Sequence, residues 1–153
     1  MSWEQTVSTL NSFLREEIAA VDAYRRALRR LDWSDRPEEL TACLRSHLRR
    51  VDTLQGQVLE LGGTPVQSPG VLGGIFSGRL DGGRGQADEQ GDEAEDAATI
   101  SALEEGEDHG LKHYLDDVSK LDLESRRLIE REILPEQMRT HDSLSDLRFN
   151  LTG

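Results

Sequence analysis

The sequence has few of the residues that crosslink small secreted domains or bind nucleic acids. It contains one cysteine, Cys43, so no intramolecular disulfide can form, which is compatible with a reducing compartment. Lys and Arg number 18 against 30 Asp and Glu, which gives a formal net charge of −12 over 153 residues. Clustered basic side chains are needed to bind a nucleic-acid backbone, so this charge argues against such a partner.

Long apolar segments are also lacking. No run of about eighteen apolar residues occurs, as a membrane-spanning helix would need. The N-terminal stretch MSWEQTVSTL has neither the basic region nor the apolar region of a signal peptide. We therefore expect no membrane insertion and a cytoplasmic location.

Features of β-structure are scarce as well. Phe, Trp and Tyr make up only 5% of the residues, and no alternating apolar and polar run is long enough for a strand. Apolar residues recur instead at steps of three and four, which is the period of an amphipathic helix. The sequence therefore predicts an all-α protein with helices at about 4–31, 36–61, 93–120 and 123–149.

The connections between these helices differ in length, and this predicts the topology. The first and third links are short, whereas residues 62–92 form a long one that begins with the helix stop ELGGTP. This connectivity is typical of an antiparallel four-helix bundle with a long crossover between helices 2 and 3, spanning 1–153 as one domain. In the crossover we expect a short helix near 70–80 and a mobile acidic segment at 81–92; Pro135 predicts a kink in helix four near 131–134.

Charged and polar residues interrupt the apolar series of the helices. Glu17 lies in the inner series of helix one and Glu107 in that of helix three. Each glutamate precedes a tyrosine, Tyr24 or Tyr114, by seven residues, which places the pair two turns apart on one helix face. The two halves of the chain therefore look like copies of one helical hairpin.

Helices two and four add further polar residues at the same height. His47 falls in the apolar series of helix two, and Glu136, Thr140 and His141 lie near the expected inner face of helix four. Carboxylate and imidazole groups are ligands for divalent metals, so each helix offers a potential donor at mid-height.

Several segments resemble a bacterial ferritin-like four-helix-bundle family of unknown function. They are LNSFLREEIAAVDAYRRAL, LELGGTP, LEEGEDHGLKHYLDDV and THDSLSDLR, and the resemblance extends from Leu10 to Arg148. The wider ferritin-like class implies a carboxylate-bridged di-metal centre, with one Glu from each of two helices and Glu-x-x-His from each of the others. Iron or another divalent metal such as manganese suits such mixed ligands.

The chain matches this ligand pattern only in part. The single glutamates and the tyrosines that follow them are matched by Glu17, Tyr24, Glu107 and Tyr114. At the Glu-x-x-His position of helix two, however, stand His47 and Arg50, and no Glu-x-x-His occurs anywhere in the sequence. An arginine cannot bind a metal cation, but it can pair with Glu17 or Glu107 and neutralise it.

Two functions follow from these residues. The preferred one is a bundle with a degenerate di-metal site, acting without catalysis as a stress-related or interaction protein that self-associates into a homo-oligomer such as a dimer. The alternative is a metal-binding protein that holds iron or a similar ion with Glu17, His47, Glu107 and a helix-four donor, Glu136 or His141. No phosphate-binding loop or nucleophile elbow is present, so the sequence predicts no catalytic residues.

Overall fold

A computed structural model describes residues 2–30, 37–69 and 92–152. Helix α1 is Trp3–Arg30, α2 is Pro37–Glu60, and α3 is Asp92–Asp117, which continues into the 3₁₀ turn Val118–Lys120. The fourth helix consists of α4, Leu123–Leu128, a π-helical turn, Ile129–Ile133, and α5, Leu134–Thr152. The predicted helix near 70–80 and the predicted acidic segment, apart from its last residue, lie outside the described residues.

The helices pair into two hairpins. Helix α1 packs mainly against α2, and α3 packs mainly against the fourth helix. The hairpins meet where α1 contacts α3 and where α2 contacts α5. The three described ranges contain no strand, so the prediction of an all-α bundle is confirmed. None of their helices is long and apolar enough to cross a membrane.

Helix boundaries follow from local chemistry. After α2, Gly62 adopts φ 80°, and the Gly62 and Gly63 amides donate to the carbonyls of Leu59 and Val58, both at 2.9 Å. This is the Schellman arrangement, which ends a helix at a glycine in the left-handed region. In the turn of the second hairpin, the Asp122 side chain caps α4 by accepting a hydrogen bond from the Ser125 amide at 2.8 Å.

The apolar core forms two halves along the bundle axis. One half contains Ala23, Ala27, Leu40, Cys43, Ile100, Ala102, Leu103, Leu144 and Leu147, with the ring of Tyr24. The other contains Leu10, Phe13, Leu14, Leu54, Val58, Leu121, Ile129 and Ile133, with the ring of Tyr114. Full burial of a large apolar side chain stabilises a fold by about 1.5 to 3 kcal/mol, so these halves can offset the cost of the polar residues between them.

The π-helical turn sets the phase of the fourth helix. Its inner residues Ser125, Ile129, Ile133 and Gln137 are all buried and follow one another at three successive steps of four. On an ideal α-helix these steps would leave the first and last of them about 120° apart. The π turn inserts extra backbone here, just before Pro135, which cannot donate a backbone hydrogen bond. The inner face therefore stays directed at the core across the proline.

Candidate functional site

A buried polar layer lies at mid-height between the two apolar halves. It consists of Glu17 on α1, Ser46, His47 and Arg50 on α2, Glu107 on α3, Gln137 and Thr140 on α5, and the hydroxyl groups of Tyr24 and Tyr114. None of these residues is more than 3% exposed. Because buried polar groups destabilise a fold unless they are hydrogen-bonded, the partners of each group decide what the polar layer can do.

The two tyrosines cross between the helices. Tyr24 on α1 donates to Glu107 Oε1 at 3.1 Å, and Tyr114 on α3 donates to Glu17 Oε1 at 2.6 Å. Helical side chains lean toward the N-terminus of their helix, so a tyrosine two turns beyond its own glutamate points back to the level of the polar layer. Burial raises the pKa of both hydroxyls, and the neighbouring carboxylates raise it further, so both tyrosines remain donors.

His47 bridges the two glutamates. Its Nδ1 lies 2.5 Å from Glu17 Oε2, and its Nε2 lies 2.7 Å from Glu107 Oε1. A carboxylate only accepts hydrogen bonds, so both contacts are satisfied at once only by the doubly protonated ring. Burial alone would lower the pKa of His47, but the charges of Glu107 and Glu17 raise it from 6.5 to about 9. The ring is therefore an imidazolium cation at neutral pH.

Arg50 supplies the second positive charge. Its Nη1 donates to Glu17 Oε1 at 3.3 Å. Its remaining donors are satisfied by oxygen atoms of Ser46, Glu136, Gln137 and Thr140. Burial would raise the pKa of Glu17, but Arg50 and His47 together lower it from 4.5 to about 2. Glu17 is therefore ionised in the folded chain.

Glu107 has an equally complete set of partners. Its Oε1 accepts from Tyr24 and His47, and its Oε2 accepts from Thr140 at 2.9 Å and from Gln137 at 3.3 Å. Gln137 also donates to the backbone carbonyl of Glu107 at 2.8 Å, which holds α5 against α3. The polar layer thus balances two carboxylates with one imidazolium and one guanidinium, and each carboxylate oxygen accepts at least one hydrogen bond.

Two predicted donors of the fourth helix lie outside this layer. The Glu136 carboxylate accepts from Ser46 at 3.0 Å and pairs with Arg139 and Arg49 near the surface. His141 pairs with Asp108 and is 27% exposed. The prediction that Glu136 or His141 faces the inner site is therefore wrong, because the π turn brings other residues inward.

Gln137 and Thr140 take the inner positions instead. The sequence placed Thr140 near this face, but it missed Gln137 and Ser46 as members of the site. The feature that indicates Gln137 is its spacing. It follows Ser125, Ile129 and Ile133 at successive intervals of four residues, and all four residues are buried. The Gln137 amide and the Ser46 hydroxyl carry no charge, so their residue types alone did not suggest metal ligands.

The comparison with solved structures agrees with this architecture. No protein-family model matches the chain, and no curated protein matches it. A crystal structure of a ferritin-like, diiron-carboxylate protein from Bacillus anthracis str. Ames is similar, with a TM-score of 0.73 and 15% sequence identity. The match covers 97% of this chain and 99% of that one.

The fold and the polar layer define the class: an all-α four-helix bundle with paired carboxylates at its centre. More particularly, the chain is a ferritin-like bundle, as the similarity over nearly its full length establishes for the fold. Within residues 2–30, 37–69 and 92–152, no group of three or more His, Cys, Asp or Glu side chains is arranged to hold a metal ion.

Proposed function

We propose that this ferritin-like bundle works without a di-metal centre, as a non-catalytic stress-related or interaction protein of the cytoplasm. The observation that carries the proposal is the bridge of His47 between Glu17 and Glu107. A metal ligand must present a free lone pair, but both ring nitrogens of His47 direct hydrogens at the carboxylates. The donor set in this arrangement does not fit a di-metal centre.

Arg50 supports the same conclusion. Its guanidinium is 1% exposed and lies among the groups that would have to surround a metal. A guanidinium keeps its proton at all accessible pH values, so its fixed positive charge would repel a metal ion placed beside it in the same buried site. Arg50 and His47 therefore supply, from the chain itself, the positive charge that a metal would otherwise bring to the two glutamates.

The interaction role rests on apolar side chains at one end of the bundle. Trp3 begins α1, Leu59 lies near the end of α2, and Leu123 begins α4; they are 50%, 62% and 59% exposed. Exposed large apolar side chains that share one region of a surface are typical of interaction sites. We propose that this end joins a second copy of the chain in a homo-dimer.

Self-association can be measured separately from metal binding. We expect light scattering coupled to size exclusion to give twice the mass of one chain for the wild type. Leu59→Asp together with Leu123→Asp should give the mass of a single chain. As a matched control, Phe149→Asp changes another exposed apolar residue, 74% exposed, near the opposite end of the bundle. A wild type that runs as a single chain would contradict the dimer.

Metal content tests the main proposal. The protein should be produced under iron supplementation, purified without chelator and assayed for all divalent metals beside Glu17→Ala. We expect both samples to contain far less than one metal ion per chain. Iron or manganese at about one or two ions per wild-type chain, absent from Glu17→Ala, would overturn the proposal.

The second candidate function is metal binding by Glu17, His47 and Glu107. It is favoured by one observation: two glutamates from different helices meet at the centre of a fold whose solved neighbour is a diiron-carboxylate protein. For a metal to bind, His47 must lose a proton and release a carboxylate. The metal assay above therefore distinguishes the two functions.

A further inference from the structure

The interface between α1 and α3 is thinly packed at the level of the polar layer. Helix α1 packs less extensively against α3 than against α2. Ala19 and Ala20 on α1, with Gly106 and Gly110 on α3, line a cleft of about 240 Å³ whose inner end reaches the polar layer. Small residues make few contacts across such a gap. The side chains beside the cleft therefore contribute much of the attachment between α1 and α3.

His113 is one of these side chains. It lies on α3 one turn beyond the cleft, where its Nδ1 is 2.9 Å from Glu16 Oε2 and its Nε2 is 3.3 Å from Ser12 Oγ, both on α1. Its ring also packs edge-on against Phe13, with ring centroids 4.8 Å apart. The side chains of His113 and Glu16 are only 20% and 15% exposed. One imidazole ring thus contacts three successive positions of the facing helix surface.

A second carboxylate lies at the other side of the ring. Asp117, one turn further along α3, has its Oδ2 3.1 Å from His113 Nε2. Because a carboxylate only accepts hydrogen bonds, the doubly protonated ring is needed to present a hydrogen to both Glu16 and Asp117. A neutral ring carries one hydrogen and turns a lone pair toward one of the two carboxylates. Loss of a proton therefore makes one of these two contacts unfavourable.

Two further charges stand beside these carboxylates. His109 Nε2 lies 3.0 Å from Glu16 Oε1, and Lys120 Nζ, in the 3₁₀ turn, lies 3.2 Å from Asp117 Oδ1. His109 is 57% exposed and Lys120 is 50% exposed, so water screens both more than it screens His113. Burial alone would lower the pKa of His113, but Glu16 and Asp117 raise it above 6.5.

We propose that His113 is a pH-sensitive switch, which holds α1 against α3 while its ring is doubly protonated and lets the adjoining cleft widen when the ring loses a proton. The folded pKa is raised, so the attachment is complete below pH 6.5 and is lost as pH rises through the folded pKa. Widening of the cleft admits water toward the polar layer. The switch involves no metal ion and no second chain, so it stands or fails separately from the proposed function.

Amide hydrogen exchange between pH 6 and pH 9 tests the switch. Protection factors remove the intrinsic effect of pH on exchange and report local opening. In the wild type we expect the amides of residues 12–20 and 106–117 to lose protection by about threefold or more as pH rises. In His113→Gln they should have low protection already at pH 6 and change little with pH. His47 remains in both proteins, so its own titration cancels in the comparison.

His141→Gln is the matched control. His141 also pairs with an aspartate, Asp108, but it joins α5 to α3 on another side of α3 and is 27% exposed. This variant should keep the wild-type pH response of the amides between α1 and α3. The same pH response in the wild type and in His113→Gln would overturn the proposal.

The titration of His113 itself provides a second test, which does not depend on the folding of His113→Gln. Proton NMR should give a lower pKa for the His113 ring in Glu16→Gln and in Asp117→Asn than in the wild type. Asp116→Asn, which removes a 55% exposed carboxylate that pairs with Lys112, should leave that pKa unchanged. A His113 pKa that is the same in the wild type, Glu16→Gln and Asp117→Asn would overturn the proposal, because the ring would not sense either carboxylate.

Discussion

Tyr114 on α3 donates its hydroxyl hydrogen to Glu17 on α1 across 2.6 Å, and Tyr24 on α1 reaches Glu107 on α3 in the reverse direction. The spacing of seven residues between Glu and Tyr, present once in each half of the chain, produces this crossed pair. His47 then links the two glutamates into one network. The network holds the two hairpins together at mid-height through charged hydrogen bonds.

Removal of Arg50 should destabilise the protein strongly. Arg50→Met leaves Glu17 buried with only half of its compensating charge, and breaking a buried ion pair costs roughly 3 kcal/mol or more. The free energy of unfolding in urea measures this loss. Arg49→Met is the matched control, because Arg49 is 60% exposed on the same helix and its pairing with Glu136 contributes at most about 1 kcal/mol. Equal, small losses in both variants would show that Arg50 is not needed to neutralise Glu17.

Stability should depend on pH through His47 and Glu17. The folded pKa of His47 is raised to about 9, so its contribution is complete below its ordinary pKa of 6.5 and is lost as pH rises toward 9. The folded pKa of Glu17 is lowered to about 2, so its contribution is complete above 4.5 and is lost as pH falls toward 2. Together the two contributions are greatest between pH 4.5 and 6.5.

Urea unfolding at a series of pH values provides the measurement. We expect stability to decline from pH 6.5 to 9 in the wild type and to decline much less in His47→Gln. His109→Gln, which changes a histidine that is 57% exposed, should retain the wild-type slope. Identical slopes in the wild type and His47→Gln would mean that His47 does not carry the alkaline dependence.

The crossed tyrosines should each stabilise the polar layer. Tyr114→Phe removes one donor from Glu17 without changing the shape of the ring, and a hydrogen bond to a charged group contributes about 1.5 to 3 kcal/mol. Tyr24→Phe should cost less, because its contact with Glu107 is longer at 3.1 Å. The free energies of unfolding of the two single variants and the double variant measure the contributions of both hydrogen bonds. A Tyr114→Phe variant as stable as the wild type would exclude a role for this contact.

Restoring the ligands that the ferritin-like class carries on helix two should restore dependence on metal. The double variant His47→Glu with Arg50→His recreates Glu-x-x-His but removes both cations from the polar layer. We expect it to be less stable than the wild type without metal and to regain stability with Mn²⁺, because a ligand that binds only the folded state stabilises it. Melting temperatures with Mn²⁺ and with chelator measure the effect. If the melting temperature of the double variant is the same with Mn²⁺ and with chelator, the remaining donors cannot form a metal site.

Much of the fold could be predicted from the sequence, because each helix carries a long apolar series and clear end signals. The pattern of Glu17, Tyr24, Glu107 and Tyr114 also identified residues that meet in the polar layer. The inward-facing positions of the fourth helix could not be predicted in the same way. A π turn changes which residues of the following helix face the core, and no single residue type indicates such a turn in a sequence. With that shift Gln137 joins Thr140 on the inner face, and Glu136 and His141 lie outside it.

Nitrogen NMR of the His47 ring measures most directly whether the chain itself supplies the positive charge of the polar layer. With both ring nitrogens bonded to carboxylates, we predict that Nδ1 and Nε2 are both protonated at pH 7.5 and that the ring titrates near the folded pKa of about 9. A ring that is neutral at pH 7.5, with one unprotonated nitrogen available to a metal ion, would contradict this.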